Sequence, residues 1–406
     1  MSDEQLTTWQ WLASAQGLEA INTMPLSPTT AQIAAMRKKM SAEQVRAASD
    51  AKRARVKGAK KLDPEFAQHM ISDLPGIEMA SSAASSLYKA QRFAKVLTPG
   101  DRVADLCCGI GGDSWGLGKV GLIPIGIDSS PSRAWMYNYN TGFDVVCGDA
   151  WDDCPQADAF HLDPARRTNN GTRTLDIEDF MPGPAVWDQL IERFAGGAIK
   201  LNPGVHGDDL PEGELEILSE IGGLTQGILW TGNHAGEHER RATKLLGNGS
   251  VSTIAGEPWR PEDSAPIGSY LGTLDPCLER ADLVGELLEL TDIQLVHPGT
   301  GMVTSEEPVA HPMIRWHRVH ETLGWNRKRV KAALRKHDGG IVEVRTRGGV
   351  INPDDEQRAL KGKGTNDQLT VFIYRIDQKL TAVIAERLTP SKAPHTPEHV
   401  WGERKG

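Results

Sequence analysis

The sequence predicts an α/β protein built on a doubly wound parallel sheet, with a helical segment before the sheet and a small α+β module after it. Short apolar runs alternate with helix-compatible stretches over residues 101–230. Residues 1–97 show helical patterns without such runs, and residues 326–388 combine one short helix with three strand patterns. At 406 residues, the chain is long enough for two or three domains.

We place the domain limits where these patterns change. The prediction is a basic helical N-terminal domain over 1–97, a sheet domain over 98–305, an α+β module over 306–392 and a loose tail over 393–406.

The composition excludes several classes of protein. Apolar residues make up 39% and charged residues 24% of the chain, and no apolar stretch approaches the roughly 20 residues that a membrane helix needs. The N-terminus lacks the basic and apolar regions of a secretory signal. The five cysteines form no CxxC pair, which is typical of a reducing compartment. We therefore expect a cytoplasmic protein.

Charge is distributed unevenly around a net value of -9. Residues 1–100 carry a net charge of +4, residues 101–300 carry -19, and residues 301–406 carry +6. Basic ends around an acidic centre suggest that the ends bind a polyanion. Taken without other evidence, the same distribution is explained equally well by a chance difference in charge between solvated surfaces.

The N-terminal helices have clear boundary signals. Ser41 followed by Gln44 is a capping-box pattern, and it predicts a helix that continues without glycine or proline to Val56. A second helix is predicted over 80–96, before Pro99. Basic residues are concentrated between positions 37 and 61.

The strand patterns of the sheet domain are short and apolar, which is typical of strands buried on both faces. They lie at 102–106, 122–128, 145–149, 159–164, 198–201 and 227–230.

The C-terminal module combines a basic helix with half-exposed strands. The helix is predicted over 326–336, with Val330, Ala333 and Leu334 on one face. The strands are predicted at 341–347, 369–376 and 380–388.

A glycine turn follows the first strand of the sheet domain and is the strongest local signal. Gly109 and Gly111 allow the backbone to pass close to a ligand, and the following helix offers unpaired N–H groups. Nicotinamide and flavin proteins use a similar turn, but Ser114 stands where their fingerprint requires a third glycine.

Carboxylates follow four successive strands. Asp128 lies 19 residues after Gly109, where it can accept both ribose hydroxyls of an adenosine, and Asp149 is placed to receive an adenine amino group. Asp105 has no role in a pyrophosphate site and fits opposite a cation such as the α-amino group of a methionine moiety. Asp163 lies at the end of the fourth strand. A helix cap or a turn can explain each of these aspartates by itself, whereas four aspartates at the ends of successive strands indicate a ligand site.

These segments resemble a known family. The runs DLCCGIGGD at 105–113, GIDSSP at 126–131, VVCGDA at 145–150 and LDPARR at 162–167 are similar to class I S-adenosylmethionine-dependent methyltransferases, and more closely to the bacterial subgroup with a C-terminal THUMP-like domain. Further similar segments are 89–94, AIKLNPG at 198–204, HERRAT at 238–243, VRTRG at 344–348 and LKGKG at 360–364.

The resemblance implies a Rossmann-like, mostly parallel, seven-stranded sheet and a methyltransferase that uses S-adenosylmethionine. It also suggests RNA, either rRNA or tRNA, as the acceptor, because THUMP domains bind RNA in other modification enzymes. The basic N-terminal helices and the C-terminal module would then hold the RNA. The predicted cofactor-binding residues are Asp105, Cys107, Gly109, Gly111, Asp128, Ser129, Asp149 and Ala150.

The predicted catalytic residues are Asp163, Pro164 and Arg166. Asp163 would orient the acceptor or accept its proton late in the methyl-transfer step. Many nucleic-acid N-methyltransferases have a second proline and a stacking aromatic residue here, whereas this chain has Ala165, Arg166 and Arg167, which puts methylation of a base amino group in doubt. The arginines either contact a phosphate or base, or pair with acidic surface groups.

Three alternatives stay open at this point. The first is a methyltransferase whose acceptor is a protein or a small molecule. The second is an RNA-binding protein that retains the fold without catalysis. The third, and least favoured, is a nicotinamide oxidoreductase. His234 and His238 have the spacing of a metal-binding helix, but the glycines around them favour a loop, and we predict no metal site.

Overall fold

A computed structural model of the chain describes residues 3–166, 176–205, 207–221, 223–376 and 379–388. It divides into two compact units, Met1–Leu215 with Gln226–Glu237, and Glu216–Thr225 with His238–Gly406. The first unit therefore unites the N-terminal helices with sheet strands that the sequence prediction assigned to a separate domain. The predicted tail, 393–406, lies outside the described residues.

Seven helices precede the sheet in the described part of the first unit, as the helical patterns predicted. They are α1 (Asp3–Leu12), α2 (Ala15–Thr23), α3 (Thr30–Met36), α4 (Ala42–Gly58), α5 (Pro64–His69), α6 (Leu74–Met79) and α7 (Ala83–Phe93). The predicted capping box is confirmed, because Ser41 accepts from the N–H of Gln44 and the Gln44 side chain accepts from the N–H of Ser41. The helix predicted over 80–96 is shorter and begins after Ser82, which caps it.

The N-terminal helices enclose a core of their own. The buried face of α4 is rich in alanine, including Ala48, Ala51 and Ala54, and small side chains let neighbouring helices approach closely. Ile110 and Met136, from the sheet region, belong to the same apolar cluster. The helical segment therefore packs directly beside the glycine turn.

The sheet of the first unit contains the predicted strands. They are β1 (Arg102–Leu106), β2 (Ile123–Asp128), β3 (Val145–Cys147), β4 (Ala159–Leu162), β7 (Gly196–Leu201) and β9 (Gly223–Gly232). Three further strands were not predicted: β5 (Ala165–Arg166) and β6 (Phe180–Met181) form a separate two-stranded sheet, and β8 (Glu214–Glu220) continues into the second unit. The helices between them are α8 (Gly112–Lys119), α9 (Pro131–Thr141) and α10 (Pro184–Arg193).

The order of the strands across this unit is β3-β2-β1-β4-β7-β9. Neighbouring pairs from β3 to β7 are parallel, and β9 is antiparallel to β7. The mostly parallel, doubly wound architecture is thus confirmed, whereas the predicted count of seven strands is not. Because β1 to β4 run in one direction, the residues that follow them meet at one edge of the sheet.

The second unit contains a mixed sheet of seven strands. The seven strands of this sheet are β12 (Tyr270–Leu274), β13 (Gln294–Leu295), β14 (Met302–Ser305), β15 (Ile314–Gly324), β16 (Glu343–Thr346), β17 (Leu369–Ile376) and β18 (Lys379–Arg387). The unit also contains β10 (Arg240–Leu245) and β11 (Val251–Gly256). The sheet order is β13-β14-β12-β15-β18-β17-β16, and β10 pairs with β11. Its helices are α11 (Pro276–Arg280), α12 (Val284–Glu289), α13 (Arg327–Lys336) and α14 (Pro353–Leu360).

The predicted C-terminal elements are present in this unit. The helix predicted over 326–336 is α13, capped by Asn326, and Val330, Ala333 and Leu334 are buried as expected. The unit extends further towards the N-terminus than the predicted module, because β12 forms antiparallel pairs with β15 and β14. No described helix has the length and apolar character needed to cross a membrane.

Candidate cofactor and active site

Asp105 and Asp128 lie at the C-terminal ends of β1 and β2, and Asp149 and Asp163 follow β3 and β4, so all four are at the sheet edge where Cys107 follows β1. Cys107 has a left-handed backbone with φ +59°. Burial, and then the negative charges of Asp128, Asp163, Asp105 and Asp149, raise the pKa of its thiol well above the ordinary value. The sheet therefore brings together groups that lie up to 58 positions apart in the sequence.

The two glycines of the turn, Gly109 and Gly111, are required for different structural reasons. Gly111 caps α8 with φ +89°, and a Cβ built on it lies 2.3 Å from Cγ2 of Thr141, so packing requires glycine. Gly109 has φ +57°, and nothing lies within 4 Å of a Cβ built on it. The open space at Gly109 leaves the backbone accessible to a ligand.

Asp128 is fixed at the end of β2 by backbone donors. Its Oδ2 accepts from the N–H of Gly109 at 3.0 Å, and its Oδ1 accepts from the N–H of Ser130 at 2.9 Å. Burial raises the pKa of its carboxyl despite these two hydrogen bonds. Each oxygen retains a lone pair for a further donor, and Ser129 beside it is exposed.

Asp149 occupies the exposed loop after β3. Its Oδ1 accepts from the N–H of Trp151 at 2.8 Å and from the N–H of Asp152 at 3.2 Å, which closes a turn. Ala150 next to it is buried. The structural account of Asp149 is therefore a turn, and its predicted contact with an adenine amino group stays a prediction.

Asp105 is more enclosed than its predicted role suggested. It is 1% exposed, its Oδ2 accepts from the hydroxyl of Ser114 at 2.6 Å, and its Oδ1 lies 2.8 Å from Nδ1 of His161. Ser114 also shares a hydrogen bond with the Tyr137 hydroxyl at 2.7 Å. Both oxygens thus have protein partners, and the predicted contact with an α-amino group stays a prediction.

A buried ion pair lies behind this edge of the sheet. Nζ of Lys89 is 2.6 Å from Oδ1 of Asp113, and the two side chains are 2% and 10% exposed. The same Nζ lies 3.2 Å from Nε2 of His161 and 3.2 Å from Oγ of Ser81. Lys89 on α7, Asp113 on α8 and His161 on β4 therefore form one polar network.

Charge pairing compensates the burial of this network. Burial lowers the pKa of Lys89, with Asp113 acting in the opposite sense. Burial alone would raise the pKa of the Asp113 carboxyl, but Lys89, His161 and Lys200 outweigh it and hold that pKa well below its usual range. Asp113 is therefore a carboxylate whose charge depends on its neighbours.

Asp163 joins this network through Lys200. Nζ of Lys200 lies 2.6 Å from Oδ2 of Asp163 and 4.0 Å from Oδ2 of Asp113. Pro164 is buried, and Arg166 belongs to β5, where its backbone pairs with Phe180. Arg167 lies outside the described residues. The predicted catalytic segment thus contains one charged group, Asp163, that the structure fixes by an ion pair.

The prediction missed the roles of Lys89, His161 and Lys200. His161 and Lys200 lie in β4 and β7, where every residue is buried, and Lys89 is on the buried face of α7. A polar residue inside an apolar strand is the signal that could have identified two of them, because such groups need buried partners.

The described residues contain no group of three or more His, Cys, Asp or Glu side chains that could hold a metal ion. His234 lies in a turn after β9, packs against Phe93 at 4.9 Å, and has its pKa lowered to about 4 by burial and by Arg92.

Comparison with known proteins supports the resemblance seen in the sequence. The THUMP domain-like family matches residues 314–387. Two uncharacterized S-adenosylmethionine-dependent methyltransferases, from Mycobacterium tuberculosis strains CDC 1551 / Oshkosh and ATCC 25618 / H37Rv, are each 28% identical over 334 residues, which is 78% of this chain and 88% of the relative. The chain is a relative of S-adenosylmethionine-dependent methyltransferases.

The fold of this methyltransferase relative recurs in a solved structure. The crystal structure of a suggested methyltransferase from Porphyromonas gingivalis W83 superposes with a TM-score of 0.69 at 17% identity, covering 96% of this chain and 99% of that one. The predicted relationship, fold class, enzyme class and cofactor, S-adenosylmethionine, are confirmed. The acceptor and the roles of individual site residues stay predictions.

The buried pair of Lys89 and Asp113 has a matched exposed pair in Lys57 and Glu78, whose Nζ–Oε1 distance is also 2.6 Å. We expect Lys89→Met to lower the free energy of unfolding by about 3 kcal/mol or more, because it leaves Asp113 buried and uncompensated. Lys57→Met should cost less than about 1 kcal/mol, since solvent screens that pair. Denaturant unfolding of both variants tests this.

A second variant separates charge from packing. Lys89→Met combined with Asp113→Leu removes both charges and should recover part of the stability lost in the single variant. Equal losses for Lys89→Met and Lys57→Met would contradict the assigned importance of the buried pair.

Proposed function

We propose that this methyltransferase acts on RNA, either rRNA or tRNA, and that the carboxylates at the sheet edge hold the cofactor while Asp163 orients the acceptor. The observation that carries the site assignment is the placement of Asp105, Asp128, Asp149 and Asp163 at the ends of the parallel strands β1 to β4, beside an open glycine turn. The RNA assignment is supported by the THUMP-like domain at 314–387 and by the two basic ends of the chain.

The residues of this edge fit S-adenosylmethionine. When bound, the cofactor supplies a methyl group on a positively charged sulfonium, which suits the concentrated negative charge around Cys107. The space beside Gly109 accommodates ligand atoms where any other residue would place a Cβ. Two features of the chain, one electrostatic and one steric, thus agree with the same ligand.

We assign the ribose contact to Asp128, because its two oxygens are fixed by backbone N–H groups and each can accept one more hydrogen bond. Ser129, Asp149 and Ala150 line the adenine side in this proposal. Asp105 contributes its negative charge to the site, while Ser114 and His161 hold its carboxylate in place.

Asp163 and Lys200 are assigned to the acceptor. Oδ2 of Asp163 faces Lys200, and Oδ1 has no hydrogen-bond partner among the described residues, so it can accept from a donor group of the acceptor. Methyl transfer is an in-line displacement, and holding the two reactants in the productive geometry can supply roughly 7–11 kcal/mol of the barrier reduction. In this scheme, Asp163 orients the nucleophile or takes its proton late, and Lys200 keeps the carboxylate in position.

The charge distribution supports RNA held away from the acidic sheet region. Residues 101–300 carry a net charge of -19 and repel a phosphate backbone, so the basic ends must supply the attraction. Some basic residues of the first 97 have structural partners instead: Lys61 donates to the carbonyl of Ile77 at 2.9 Å. Others, such as Lys38, Lys39 and Lys60, are exposed.

Replacing Asp128 tests the cofactor assignment. We expect Asp128→Ala to weaken S-adenosylhomocysteine binding at least 100-fold, because two hydrogen bonds to a charged acceptor contribute about 1.5–3 kcal/mol each. Titration calorimetry measures the affinity. Asp188→Ala, at an exposed position on α10, is the matched control and should bind normally. Unchanged affinity in Asp128→Ala would remove Asp128 from the cofactor site.

Replacing Asp163 or Lys200 tests the acceptor assignment. Asp163→Asn and Lys200→Met should retain S-adenosylhomocysteine affinity and lose turnover at least 100-fold, since both disturb the orientation of the nucleophile. Lys200→Arg, which keeps the charge, should recover part of the turnover. Unfolding midpoints identify any variant that fails to fold. Full turnover in Asp163→Asn refutes its role.

The acceptor is identified by comparing modified nucleosides in host strains with and without the gene. We expect mass spectrometry to show one methylated nucleoside that disappears on deletion and returns with the wild-type gene, but not with Asp163→Asn. If all nucleosides persist while the purified protein forms S-adenosylhomocysteine with a protein or small-molecule extract, the acceptor is not RNA. If no S-adenosylhomocysteine forms with any extract, the protein is not catalytic.

A further inference from the structure

The second unit contains a cleft of about 570 Å³ that the proposed methyl transfer does not use. Its volume falls within the range of sites that hold a nucleotide-sized ligand. The residues that matter most are Lys244, Met302, Arg315, Arg345, Phe372 and Tyr374, and all of them belong to that unit. The cleft therefore exists independently of the cofactor site.

The fold places two arginines on the same face of the seven-stranded sheet. Arg345 pairs with Phe372 across β16 and β17, so their side chains share a face. The Phe372 ring packs edge-to-face against His317 at 4.9 Å. Arg315 precedes His317 by two residues on β15 and therefore points to the same side. Arg315 and Arg345 both line the cleft.

Cations around the cleft differ in their partners. Arg345 lies 2.9 Å from Glu343, Arg347 lies 2.6 Å from Glu279, and Lys244 lies 3.1 Å from Asp275, measured between nitrogen and oxygen.

Arg315, by contrast, forms no ion pair within the part of the chain that the structure describes. Burial and the charges of Arg345 and Arg387 lower the pKa of its guanidinium, although the charges of Glu343 and Asp275 act in the opposite sense. An anion beside Arg315 would relieve this repulsion.

The floor of the cleft contains an unsatisfied donor. Tyr374 is 1% exposed, and its hydroxyl has no hydrogen-bond partner among the described residues. Burial raises the pKa of this hydroxyl, so it is a neutral donor. Phe372 and Met302 supply apolar surface beside it. The cleft thus combines positive charge, a hydroxyl donor and an apolar wall, which match the phosphate, oxygens and base of a nucleotide.

We propose that this cleft binds one nucleotide of the RNA strand, with the phosphate against Arg315 and Arg345. The inference rests on the proposed RNA acceptor and names where the strand is held. The planar guanidinium fork binds phosphate oxygens in pairs, which a lysine cannot do. The segment VRTRG at 344–348 contributes Arg345, which gives that segment a function that its strand pattern alone does not explain.

The rival RNA surface is α13, which packs on the face of the sheet opposite the side chains of Arg345 and Phe372. Its buried residues pack on the face that carries Val371 and Ile373, and Lys328, Arg329 and Arg335 are exposed. Any test must distinguish these two surfaces of the second unit.

The experiment measures binding of a fluorescent single-stranded RNA to the full chain by anisotropy at several salt concentrations. We expect Arg315→Gln and Arg345→Gln each to weaken binding about tenfold and to reduce the slope of log affinity against log salt by about 1, because each removes a phosphate contact. Arg358→Gln is the matched control, since Arg358 is exposed on α14 and pairs with Asp355 there. Affinity for S-adenosylhomocysteine should be unchanged in all three.

Other outcomes are separable. Unchanged RNA binding in Arg315→Gln and Arg345→Gln, together with weaker binding in Arg329→Gln, assigns the RNA to α13 and overturns the cleft site while the proposed acceptor survives. Arg315-dependent binding of inorganic phosphate without any effect on RNA shows a free-anion site and also overturns it. If the wild-type protein neither binds nor methylates RNA, the proposal that RNA is the acceptor is rejected.

Discussion

The buried pair of Lys89 and Asp113 is the interaction on which the first unit depends. Removing two charges from water is costly unless each finds partners, and here the partners come from separate elements: Lys89 from α7, Asp113 from α8 and His161 from β4. Docking of α7 against the start of α8 is therefore a condition for a stable sheet edge. This explains why the N-terminal helices and the sheet form one compact unit, although the sequence patterns separate them.

The same network determines how rigid the candidate site is. Asp105 is held by Ser114 and His161, while Lys200 contacts both Asp163 and, more distantly, Asp113. A carboxylate with fixed partners needs little reorganisation when charge changes nearby, which is what catalysis by positioning requires. The arrangement also has a cost, since the loss of one member leaves others buried without compensation. Structural and functional demands therefore fall on the same few side chains.

Sequence patterns predicted the strands and the glycine turn because these depend on local periodicity and backbone conformation. Gly111 is recognisable in this way, since its left-handed conformation is a local requirement. Buried polar residues in apolar strands signal His161 and Lys200, but their partners were not predictable, because the contact between Lys89 and His161 joins positions 72 residues apart and leaves no periodic signal. Asp149 shows the converse: its position suggested a ligand contact, and its side chain closes a local turn. The early start of the second unit was missed because β12 to β14 are short strands paired by tertiary context.

For the proposed RNA acceptor, electrostatics gives a physical reason for a second unit beside the acidic sheet region. The negative charge around Cys107, which we propose attracts the sulfonium, also repels a phosphate backbone, so one site cannot bind both ligands by charge. For the proposed RNA acceptor, attraction must come from local groups of cations, such as the cleft arginines of the second unit, where Arg315 forms no ion pair within the described residues. Under the proposed function, an acidic cofactor site therefore requires that a polyanionic acceptor be held by a separate group of cations.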